Sequence, residues 1–411
     1  MDKFSCRFCD ATLSLSFCDL GISPLANSYI ENIKNNSNEK FYPLHTYVCQ
    51  SCYLVQLPEY EIPENIFSDY IYFSSYSRSW LAHAKQYVDN IMQRYTYNKD
   101  SLIIEIASND GYLLQYFNDY DVRAIGVEPA TNVARVANKK GVKTINKFFN
   151  INTANQIITE LKCADLIIAN NVLAHVSNIK DFVESIKILL AQGGVVTIEF
   201  PHLLNIIKYV QFDTIYHEHY SYFSLSVVKM ILEKYDLRIF DVEKIMTHGG
   251  SLRVYACHKN DSKKMNSENI NIILDEENKF GMTSNDTYKL FSNKVKNVRK
   301  KITSFLIEEK SKGANIIGYG AAAKGNTLLN YCKIGTDLID YIVDKNHHKQ
   351  GKYLPGSHIP IHSIDKVIKT KPNYIFILPW NIYEEIIEQM QFVRDWGCKF
   401  IILIPELKII E

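Results

Sequence analysis

Blocks of apolar residues separated by helical and turn-forming segments divide the middle of the chain into predicted strands and helices. The runs that predict strands are SLIIEI (101–106), DVRAIGVE (121–128), ADLIIAN (164–170) and GGVVTIEF (193–200). Strands that alternate with helical patterns are typical of a doubly wound, mostly parallel α/β sheet. The pattern therefore predicts a Rossmann-like domain over residues 81–258, in which the first strand ends near Glu105 and the second at Glu128.

A second α/β pattern fills the end of the chain. Apolar residues recur there at helical spacing and predict a long helix that ends at Gly313: Leu290, Phe291, Val295, Val298, Ile302 and Phe305. The stretch 314–332 then predicts a strand, a turn of small residues and a helix, and the next strand closes on Asp344. We expect a C-terminal Rossmann-like α/β domain over residues 285–411, reached through a polar stretch that is a linker or a surface excursion.

Composition excludes several classes of function. The chain has 411 residues and 46% hydrophobic residues, which predicts more than one domain. Its formal net charge of +1 gives no indication of a nucleic-acid or membrane partner. The N-terminal sequence lacks the order of a secretory signal, and no apolar run approaches the ~20 residues that span a bilayer. We expect a cytoplasmic protein, and the sequence does not indicate its oligomeric state.

Two Cys-x-x-Cys pairs stand near the N-terminus. Cys6 and Cys9 form the first pair, Cys49 and Cys52 the second, and each presents two thiolates to one ion. Together they predict a tetrahedral, structural Zn²⁺ site in a small domain over residues 1–80, because four thiolates leave no open coordination position. The long insert between the pairs leaves two substitute ligands open, which are Cys18 and His45.

The first turn of the central domain predicts its cofactor. Glu128 stands where an acidic side chain accepts hydrogen bonds from ribose, which fits either NAD or S-adenosylmethionine. The turn IASNDG lacks the G-x-G-x-x-G pattern, and Glu105 and Asp110 would repel a pyrophosphate but attract a sulfonium. Charge therefore favours S-adenosylmethionine, with a domain that binds no cofactor as the alternative. The predicted donor-binding residues are Glu105, Ser108, Asn109, Asp110, Gly111, Glu128 and Asn170.

Two later motifs suggest phosphate binding. Gly318, Gly320 and Ala323 match G-x-G-x-x-[GA], which alone would suggest NAD. Lysine at the start of a helix opposes the helix dipole unless an anion binds there, so Lys324, Asn326 and Thr327 are candidates for a phosphate site. The alternative is a packing turn with a solvated lysine. In HGGSLRVY (248–255), Arg253 is a further phosphate candidate, although a glycine turn entering a core strand explains the motif equally well.

The run YHEHYSYFS (216–224) concentrates polar chemistry in a few residues. On a strand, His217 and His219 would share one face, whereas on a loop the side chains could converge on one small molecule. A metal site is an alternative, although no third ligand is evident nearby and the helical H-E-x-x-H spacing is absent.

The motifs occur in an order that resembles a known family. Two Cys-x-x-Cys pairs, EIASNDG, NNVLAHV, YHEHYSYFS, HGGSLRVY and GYGAAAKGNTLLN follow one another over nearly the whole chain. This order is similar to the three-domain, S-adenosylmethionine-dependent C-methyltransferases that act on nucleotide-linked 4-keto deoxysugars, in which a small zinc-binding domain precedes a class I methyltransferase (Rossmann-like) domain. One departure is Ala107, which stands where the family usually has glycine.

The resemblance implies roles for individual residues. It places the catalytic group on Tyr216, Glu218 and His219, with His219 as the base, and matches His175 to a second active-site histidine. Glu218 is a candidate to fix the tautomer of the His219 imidazole if the chain bends. The resemblance also suggests that hydroxyl groups of the aromatic stretch 69–80 close over donor or sugar, and the candidates there are Tyr70, Tyr72, Tyr76 and Ser79.

The function implied is transfer of a methyl group to C3 of a nucleotide-linked 4-keto-6-deoxysugar. The 4-keto group makes the C3 carbanion accessible as an enolate once a base removes the C3 proton. Two alternatives come from other classes: an NAD-dependent nucleotide-sugar oxidoreductase or epimerase with its cofactor at Gly318–Ala323, and a non-catalytic zinc scaffold.

Overall fold

The structure, a computed structural model, describes residues 4–33, 39–68, 70 and 73–411. Its strands are β1 (Leu15–Ser23), β2 (Tyr42–Val48), β3 (Val55–Gln56), β4 (Leu102–Ile106), β5 (Arg123–Val127), β6 (Thr144–Ile145), β7 (Ala164–Asn170), β8 (Leu190–Pro201), β9 (Ser221–Tyr222), β10 (Leu237–Ile245), β11 (Ser251–His258), β12 (Ile316–Tyr319), β13 (Ile342–Val343), β14 (Ile361–His362), β15 (Tyr374–Ile377), β16 (Lys399–Ile402) and β17 (Lys408–Ile410). They form three sheets.

Helices cover or connect these sheets. They are α1 (Pro63–Phe67), α2 (Arg78–Arg94), α3 (Thr131–Lys139), α4 (Ile151–Glu160), α5 (Ile179–Leu189), α6 (Leu203–Lys208), α7 (Leu225–Lys234), α8 (Asn269–Phe280), α9 (Asn285–Ser311), α10 (Ala323–Cys332), α11 (Asp365–Thr370) and α12 (Tyr383–Gln389). Within the described residues, no helix combines the length and the apolar character needed to span a membrane.

The central sheet has the order β10-β11-β8-β7-β4-β5-β6. Its strands from β6 to β8 are parallel, and β11 runs antiparallel to both β8 and β10. All five residues of β4 are buried, as expected for a parallel strand that helices cover on both faces. This confirms the predicted Rossmann-like α/β sheet, and its strand order reverses between β4 and β7, where such sheets bind ligands.

The third sheet has the order β14-β13-β12-β15-β16-β17, and only its edge strand β17 is antiparallel within the described residues. It is a second Rossmann-like unit, as the sequence predicts. The stretch before it is not a plain linker, because part of it forms α8. There the buried Glu277 accepts hydrogen bonds from the amides of Leu225 and Ser226 at the start of α7.

The first sheet, β1-β2-β3-β9, is antiparallel and joins distant parts of the chain. Its last strand, β9, lies more than 150 residues beyond β3 and directly follows the YHEHY run. Helix α9 packs on β1, where the rings of Phe17 and Phe291 stack with centroids 4.5 Å apart. The small N-terminal sheet is thereby fixed to both larger units.

The structure departs from the expected pattern at two places. Leu290 is 58% exposed, because it precedes the buried Phe291 by one residue and therefore lies on another face of α9. The segment after β4 forms a 3-10 helix, Leu114–Asp119, whereas the helices that cover the other strands of a doubly wound sheet are ordinarily α-helices. The boundaries of the three predicted domains stay predictions.

Candidate active site and zinc centre

The four cysteines of the two Cys-x-x-Cys pairs meet at one point. The Sγ atoms of Cys6 and Cys52 lie 3.6 Å apart, those of Cys9 and Cys49 lie 3.5 Å apart, and all four lie within 4.8 Å of one another. These separations match the edges of a tetrahedron with Zn–S bonds of about 2.3 Å. The residues fit a structural Zn²⁺ ion, held entirely by thiolates.

The substitute ligands considered for this site lie elsewhere. Cys18 is buried in the hydrophobic core around β1, and the ring of His45 contacts the hydroxyl groups of Ser16 and Tyr47. Within the described residues, the group of four cysteines is the only cluster of His, Cys, Asp and Glu side chains that could hold a metal ion.

The donor site lies at the carboxyl ends of β4 and β5. The oxygens of Glu128 accept hydrogen bonds from the amides of Asn109 and Ala130, at 2.9 and 2.8 Å. These bonds tie the turn after β4 to the end of β5, and Ala107 and Asn109 adopt positive φ angles of 55° and 50° within that turn. The methyl group of Ala107 does not prevent the tight turn that glycine usually makes.

Several buried polar atoms in this turn have no hydrogen-bond partner within the described residues. They are Glu105 Oε2, Ser108 Oγ, Asp110 Oδ1 and Asn170 Oδ1. Buried polar atoms are normally paired, so this set indicates the place where the polar groups of S-adenosylmethionine would bind. These side chains, together with Asn109, Gly111 and Glu128, lie at the edge where the sequence predicts them.

The same residues create an acidic environment. Burial, together with the charges of Glu128 and Asp110, raises the pKa of Glu105 well above its usual value. Burial likewise raises the pKa of Glu128, to about 7, although two amide hydrogen bonds act in the opposite direction. A bound cation offsets this repulsion between carboxylates, which favours a sulfonium over a pyrophosphate. Asp110 is partly neutralised by Lys140, whose Nζ lies 2.8 Å from Asp110 Oδ2.

The residues 216–219 form a turn and not a strand, and within it the side chains of Tyr216 and His219 come together. The Tyr216 hydroxyl lies 2.8 Å from Nε2 of His219, and Nδ1 of His219 lies 2.8 Å from the carbonyl oxygen of Thr214. A carbonyl can only accept, so Nδ1 carries the proton, and the Tyr216 hydroxyl donates to Nε2. The lone pair of His219 Nε2 is therefore directed at the hydroxyl group of Tyr216.

A second imidazole contacts this pair. The rings of His175 and His219 meet edge to face, with centroids 4.7 Å apart, and Nδ1 of His175 is buried without a hydrogen-bond partner in the described part of the chain. Burial lowers the pKa of His175 to about 4 and lowers that of His219 well below its usual value, where the charge of His175 adds to the effect. Both imidazoles are therefore neutral at pH 7.

Glu218 does not fix the His219 tautomer. Its carboxylate turns away and accepts hydrogen bonds from Asn27 Nδ2 at 2.6 Å and from the Tyr70 hydroxyl at 2.8 Å. The carbonyl of Thr214 holds the imidazole in its place, a role that sequence alone could not assign because every residue has a carbonyl. Burial raises the pKa of Glu218, which the two hydrogen bonds partly offset.

His217 has no role as a metal ligand here. Its Nε2 lies 3.2 Å from the carbonyl oxygen of Pro43, and its ring packs edge to face on Tyr42. His219 has a different partner, the carbonyl oxygen of Thr214. The structure therefore does not support the histidine metal site considered from the sequence.

A cavity of about 870 Å³ lies where the three sheets meet. Its lining residues come from all three units: Leu25, Asn27, Ser28, Tyr29, Asn65, Ile66, Tyr70, Phe73, Ser75, Tyr76, Asp110, Asn132, Arg135, Val136, Lys140, Glu218, His348 and Lys352. Asp110 of the donor site and Glu218 of the catalytic turn both line it. The cavity therefore reaches one residue of the donor turn and one residue of the 216–219 turn, but neither Tyr216 nor His219 lines it, and His219 lines a separate small cavity with Thr214 and Tyr222.

The aromatic stretch before α2 reaches this cavity only in part. Tyr70 and Tyr76 line it, and their contact with donor or sugar stays a prediction. Ser79 does not, because its hydroxyl donates to Glu385 at 2.7 Å on the outer surface. Tyr72 lies outside the described residues.

The phosphate candidates do not line the cavity. Arg253 is buried in β11, with its guanidinium 3.0 Å from Glu199, 3.2 Å from Glu243 and over the ring of Tyr87. Burial raises the pKa of Glu199, but the hydrogen bond from His83 and the charge of Arg253 outweigh this and lower it to about 2. Arg253 thus serves an internal ion pair and is not available to a phosphate.

The residues of the predicted phosphate cradle lie in α10, which packs against the short helix Phe212–Thr214. The Lys324 ammonium is buried without a hydrogen-bond partner among the described residues, 5.1 Å from the centroid of the Trp380 ring. Burial lowers the pKa of Lys324, which the charge of Asp213 partly offsets. Asn326 and Thr327 are buried, and both amide atoms of Asn326 have no partner within the described chain.

In the C-terminal unit, other protein groups occupy the space beside the glycine turn Gly318–Ala323. The Tyr29 hydroxyl donates to the Ala321 carbonyl at 2.6 Å, and Asp344 accepts a hydrogen bond from the Ala321 amide at 2.7 Å. A Cβ at Gly320 would lie 2.5 Å from Cδ of Pro379. Gly320 and Asp344 therefore serve close packing, and the geometry does not support NAD binding there.

Comparisons with known proteins match three successive parts of the chain. Family models match residues 6–67 as "Putative zinc binding domain", 80–242 as "Methyltransferase domain" and 246–405 as "C-methyltransferase C-terminal domain". Over 406 residues the chain is 34% identical to the C-methyltransferase NovU of Streptomyces niveus, an alignment that covers 99% of this chain and 96% of that protein.

Solved structures resemble the chain more distantly. One is an S-adenosylmethionine-dependent methyltransferase of Anabaena variabilis, with 15% identity and a TM-score of 0.37 over 44% of this chain and 86% of that chain. Another, from Clostridium acetobutylicum, has 12% identity and a TM-score of 0.35 over 47% of this chain and 94% of that chain. The full-length identity and the three family matches show that the chain belongs to the C-methyltransferases, zinc-containing enzymes that transfer a methyl group from S-adenosylmethionine to carbon.

Proposed function

We propose that the enzyme methylates C3 of a nucleotide-linked 4-keto-6-deoxysugar through an enolate, with His219 as the base. The observation that carries the proposal is the Tyr216–His219 pair, in which a neutral imidazole with a fixed tautomer directs Nε2 at a hydroxyl 2.8 Å away. Carbon is a weak nucleophile until it is deprotonated, so a C-methyltransferase needs a positioned base beside the acceptor carbon.

The reaction requires one proton transfer and one methyl transfer. Nε2 of His219 takes the C3 proton, directly or through the Tyr216 oxygen, and the C–H electron pair forms the enolate with the 4-keto oxygen. Bound S-adenosylmethionine supplies the methyl group. The enolate carbon forms the new C–C bond and the ketone is restored, while the imidazolium later releases its proton to water.

A buried cation near the pair fits the enolate oxygen. The neighbouring His175 ring is neutral and donates its proton to the backbone of Glu218, so its unpartnered Nδ1 is an acceptor and does not serve the enolate in this tautomer. The unpaired Lys324 ammonium supplies positive charge on the same side, since its charge acts on both Asp213 and His219. Donors that are already fixed in a water-poor site stabilise developing negative charge most strongly.

The cavity supports a nucleotide sugar as acceptor. A volume of about 870 Å³ lies within the ordinary range for ligand sites. Glu218, with Tyr70 and Asn27, presents acceptors and donors suited to sugar hydroxyl or amino groups. Positively charged side chains on the rim, Arg135 and Lys352 among them, fit a diphosphate.

The test is an assay against a panel of 4-keto-6-deoxyhexoses linked to dTDP, UDP, GDP and CDP. Mass spectrometry should show the gain of one methyl group for at least one of them, and NMR should place it on C3. In D₂O without S-adenosylmethionine, the enzyme should exchange the C3 proton for deuterium. Methylation at C5 or on oxygen would contradict the proposal.

His219→Asn should abolish both exchange and turnover, because the variant keeps the shape of the side chain but has no basic nitrogen at the reacting position. The dissociation constant for S-adenosylmethionine should change less than threefold, since His219 does not belong to the donor site. His347→Asn makes the same change at an exposed surface position and should behave as wild type. Exchange that survives in His219→Asn would remove His219 from the mechanism.

We also propose a cytoplasmic location for the enzyme. All nine cysteines are free thiols in the structure, including the five that do not belong to the zinc cluster. Reduced cysteines are typical of the cytosol, where nucleotide sugars are made.

A further inference from the structure

A tryptophan of the C-terminal unit reaches the turn that precedes the catalytic run. The indole Nε1 of Trp380 donates to Asp213 Oδ2 at 2.7 Å. Trp380 is 7% exposed and Asp213 is fully buried, so the hydrogen bond is shielded from water. A hydrogen bond to a buried carboxylate is strong and directional, and its loss leaves an unsatisfied charged group.

This hydrogen bond ends one residue before the group that orients the base. Asp213 and Thr214 belong to the same 3-10 helix, Phe212–Thr214, and the Thr214 carbonyl accepts the Nδ1 proton of His219. The position of this short helix therefore sets the position of the imidazole. Two further contacts join this short helix to the C-terminal unit: Phe212 packs edge to face on Tyr331 at 5.3 Å, and the charge of Lys324 acts on Asp213.

The Trp380 ring is itself held by the central unit. A Cβ at Gly249 would lie 2.3 Å from Cη2 of Trp380, so the glycine allows the indole to pack directly on the backbone. Gln211 supports this contact by donating to the Gly249 carbonyl at 2.8 Å. The HGG motif thereby gains a packing role that sequence alone left open.

We propose that Trp380 is a positioning residue for the catalytic base, acting through its hydrogen bond to Asp213 and the carbonyl of Thr214 on the imidazole of His219. The proposal rests on the proposed function of His219. It gives the C-terminal unit a task in the proton-transfer step, and that task does not depend on contact with the sugar.

The physical reason is the steep distance dependence of proton transfer. A displacement of about 1 Å at a reacting group can lower the rate by about a hundredfold. Without the indole N–H, the Asp213 carboxylate keeps its hydrogen bonds to the backbone of Asp213 and Thr214 but loses the side-chain hydrogen bond that joins it to Trp380, and the short helix is free to shift away from the C-terminal unit. The Thr214 carbonyl would move with it, and His219 would lose its fixed orientation.

The test compares Trp380→Phe with Trp396→Phe. Phenylalanine keeps an aromatic ring but removes the N–H donor. Trp396 lies in the same unit, and its Nε1 donates to the Pro372 carbonyl at 3.1 Å, so the control removes the same kind of hydrogen bond away from the catalytic turn. The substrate is a nucleotide sugar of the panel that the wild-type enzyme methylates. With it, Trp380→Phe should lower kcat and the rate of C3 deuterium exchange about tenfold, and KM should change less than threefold.

The Asp213 side of the contact is tested by two further variants. Asp213→Asn keeps an oxygen that accepts the indole hydrogen bond and should retain exchange within about threefold of wild type. Asp213→Ala removes the acceptor and should reproduce the defect of Trp380→Phe, while the double variant Trp380→Phe/Asp213→Ala should be no slower than the slower single variant. The exchange rates of these variants can be compared even where one variant is less stable, provided that a cooperative thermal unfolding transition shows that each protein is folded at the assay temperature.

A spectroscopic readout is independent of the sugar. With ¹⁵N-labelled histidine and bound S-adenosylhomocysteine, NMR should show His219 with the proton on Nδ1 in wild type and in Trp396→Phe, and a mixture of tautomers in Trp380→Phe. The signal is assigned by its loss in His219→Asn. If Trp380→Phe exchanges the C3 proton as fast as the wild type and keeps the same His219 tautomer, the positioning role is overturned. If exchange persists in His219→Asn, the proposed function is overturned instead.

Discussion

Glu128 shows how burial tunes a single side chain at the donor site. Its carboxylate accepts two amide hydrogen bonds, and burial nevertheless raises its pKa to about 7. In the donor-free protein it therefore exchanges its proton close to neutral pH. The ionised form is the better acceptor for ribose hydroxyl groups, and it attracts a cationic ligand more strongly.

This predicts that the affinity for S-adenosylmethionine falls in acid. Because the raised pKa means that Glu128 becomes protonated as the pH drops through about 7, the dissociation constant should rise between pH 8 and pH 6, by up to about tenfold. Isothermal titration calorimetry at several pH values checks this. Glu128→Gln should bind more weakly and lose most of the pH dependence. An affinity that is equally strong at pH 6 and pH 8 in the wild type would contradict the role of Glu128.

Single residues were predicted from sequence where their chemistry requires a particular side chain. The acidic donor turn and the Tyr216–His219 pair follow from residue type and resemblance, and the structure brings the two residues of the pair together. Thr214, whose contribution is a backbone carbonyl, has no such signature. Arg253 illustrates the opposite error, because a guanidinium suits a phosphate and an internal carboxylate equally well.

At the scale of elements, the zinc centre and the catalytic turn are coupled through the first sheet. The second pair of zinc ligands, Cys49 and Cys52, lies between β2 and β3, and β3 pairs with β9 directly after the catalytic turn. The Leu57 amide extends this connection by donating to the Tyr220 carbonyl at 3.0 Å. Zinc bound to the four cysteines would therefore stabilise the sheet whose strand β9 directly follows the 216–219 turn.

Removal of the metal should accordingly affect folding first and chemistry as a consequence. Cys49→Ser should lose its zinc, measured by mass spectrometry of the metal, and should unfold at a lower temperature. Turnover should fall more than tenfold, while the affinity for S-adenosylmethionine stays within threefold because the donor turn belongs to the central sheet. Cys163→Ser, at a cysteine outside the cluster, should retain zinc, stability and activity. A zinc-free Cys49→Ser that is fully active would show that the sheet does not need the metal.

Most elements follow from local patterns, but the pairing of distant ones does not. The parallel strands of both Rossmann-like units appear as apolar runs with helical segments between them, because burial on both faces leaves that signature. The two residues of β9 carry no such pattern, and they join β3 only because the fold brings them there. The G-x-G-x-x-A turn shows a related limit, since glycines that permit close packing and glycines that admit a dinucleotide look identical in sequence.

At the scale of the whole molecule, the three units enclose a single cavity, and each contributes residues to it. Asn27 and Tyr29 come from the N-terminal part, Arg135 from α3, and His348 and Lys352 from the C-terminal unit. The Tyr29 hydroxyl also bonds the Ala321 carbonyl, which fastens the first and last parts of the chain to each other. A ligand as long as a nucleotide sugar can therefore contact every unit at once.

The charge distribution around the cavity predicts where the diphosphate of the acceptor binds. Glu218 and Asp110 line it with acidic groups, of which Asp110 pairs with Lys140, whereas Arg135 and Lys352 line it with basic groups, of which Lys352 pairs with the exposed Glu31. A diphosphate beside Glu218 would be repelled, so we expect the diphosphate of the proposed acceptor at Arg135 and Lys352 and its sugar beside Glu218.

Arg135→Ala and Lys352→Ala should therefore each raise KM for the nucleotide sugar about tenfold, because each removes one charge-assisted hydrogen bond to phosphate. The affinity for S-adenosylmethionine should stay within twofold, and kcat should change little, since neither side chain touches the reacting carbon. Added salt should raise KM in the wild type and less steeply in the variants. Lys139→Ala, at an exposed position of the same helix as Arg135 but away from the cavity, is the matched control. Unchanged KM values in both variants, measured by steady-state kinetics at low ionic strength, would place the diphosphate elsewhere.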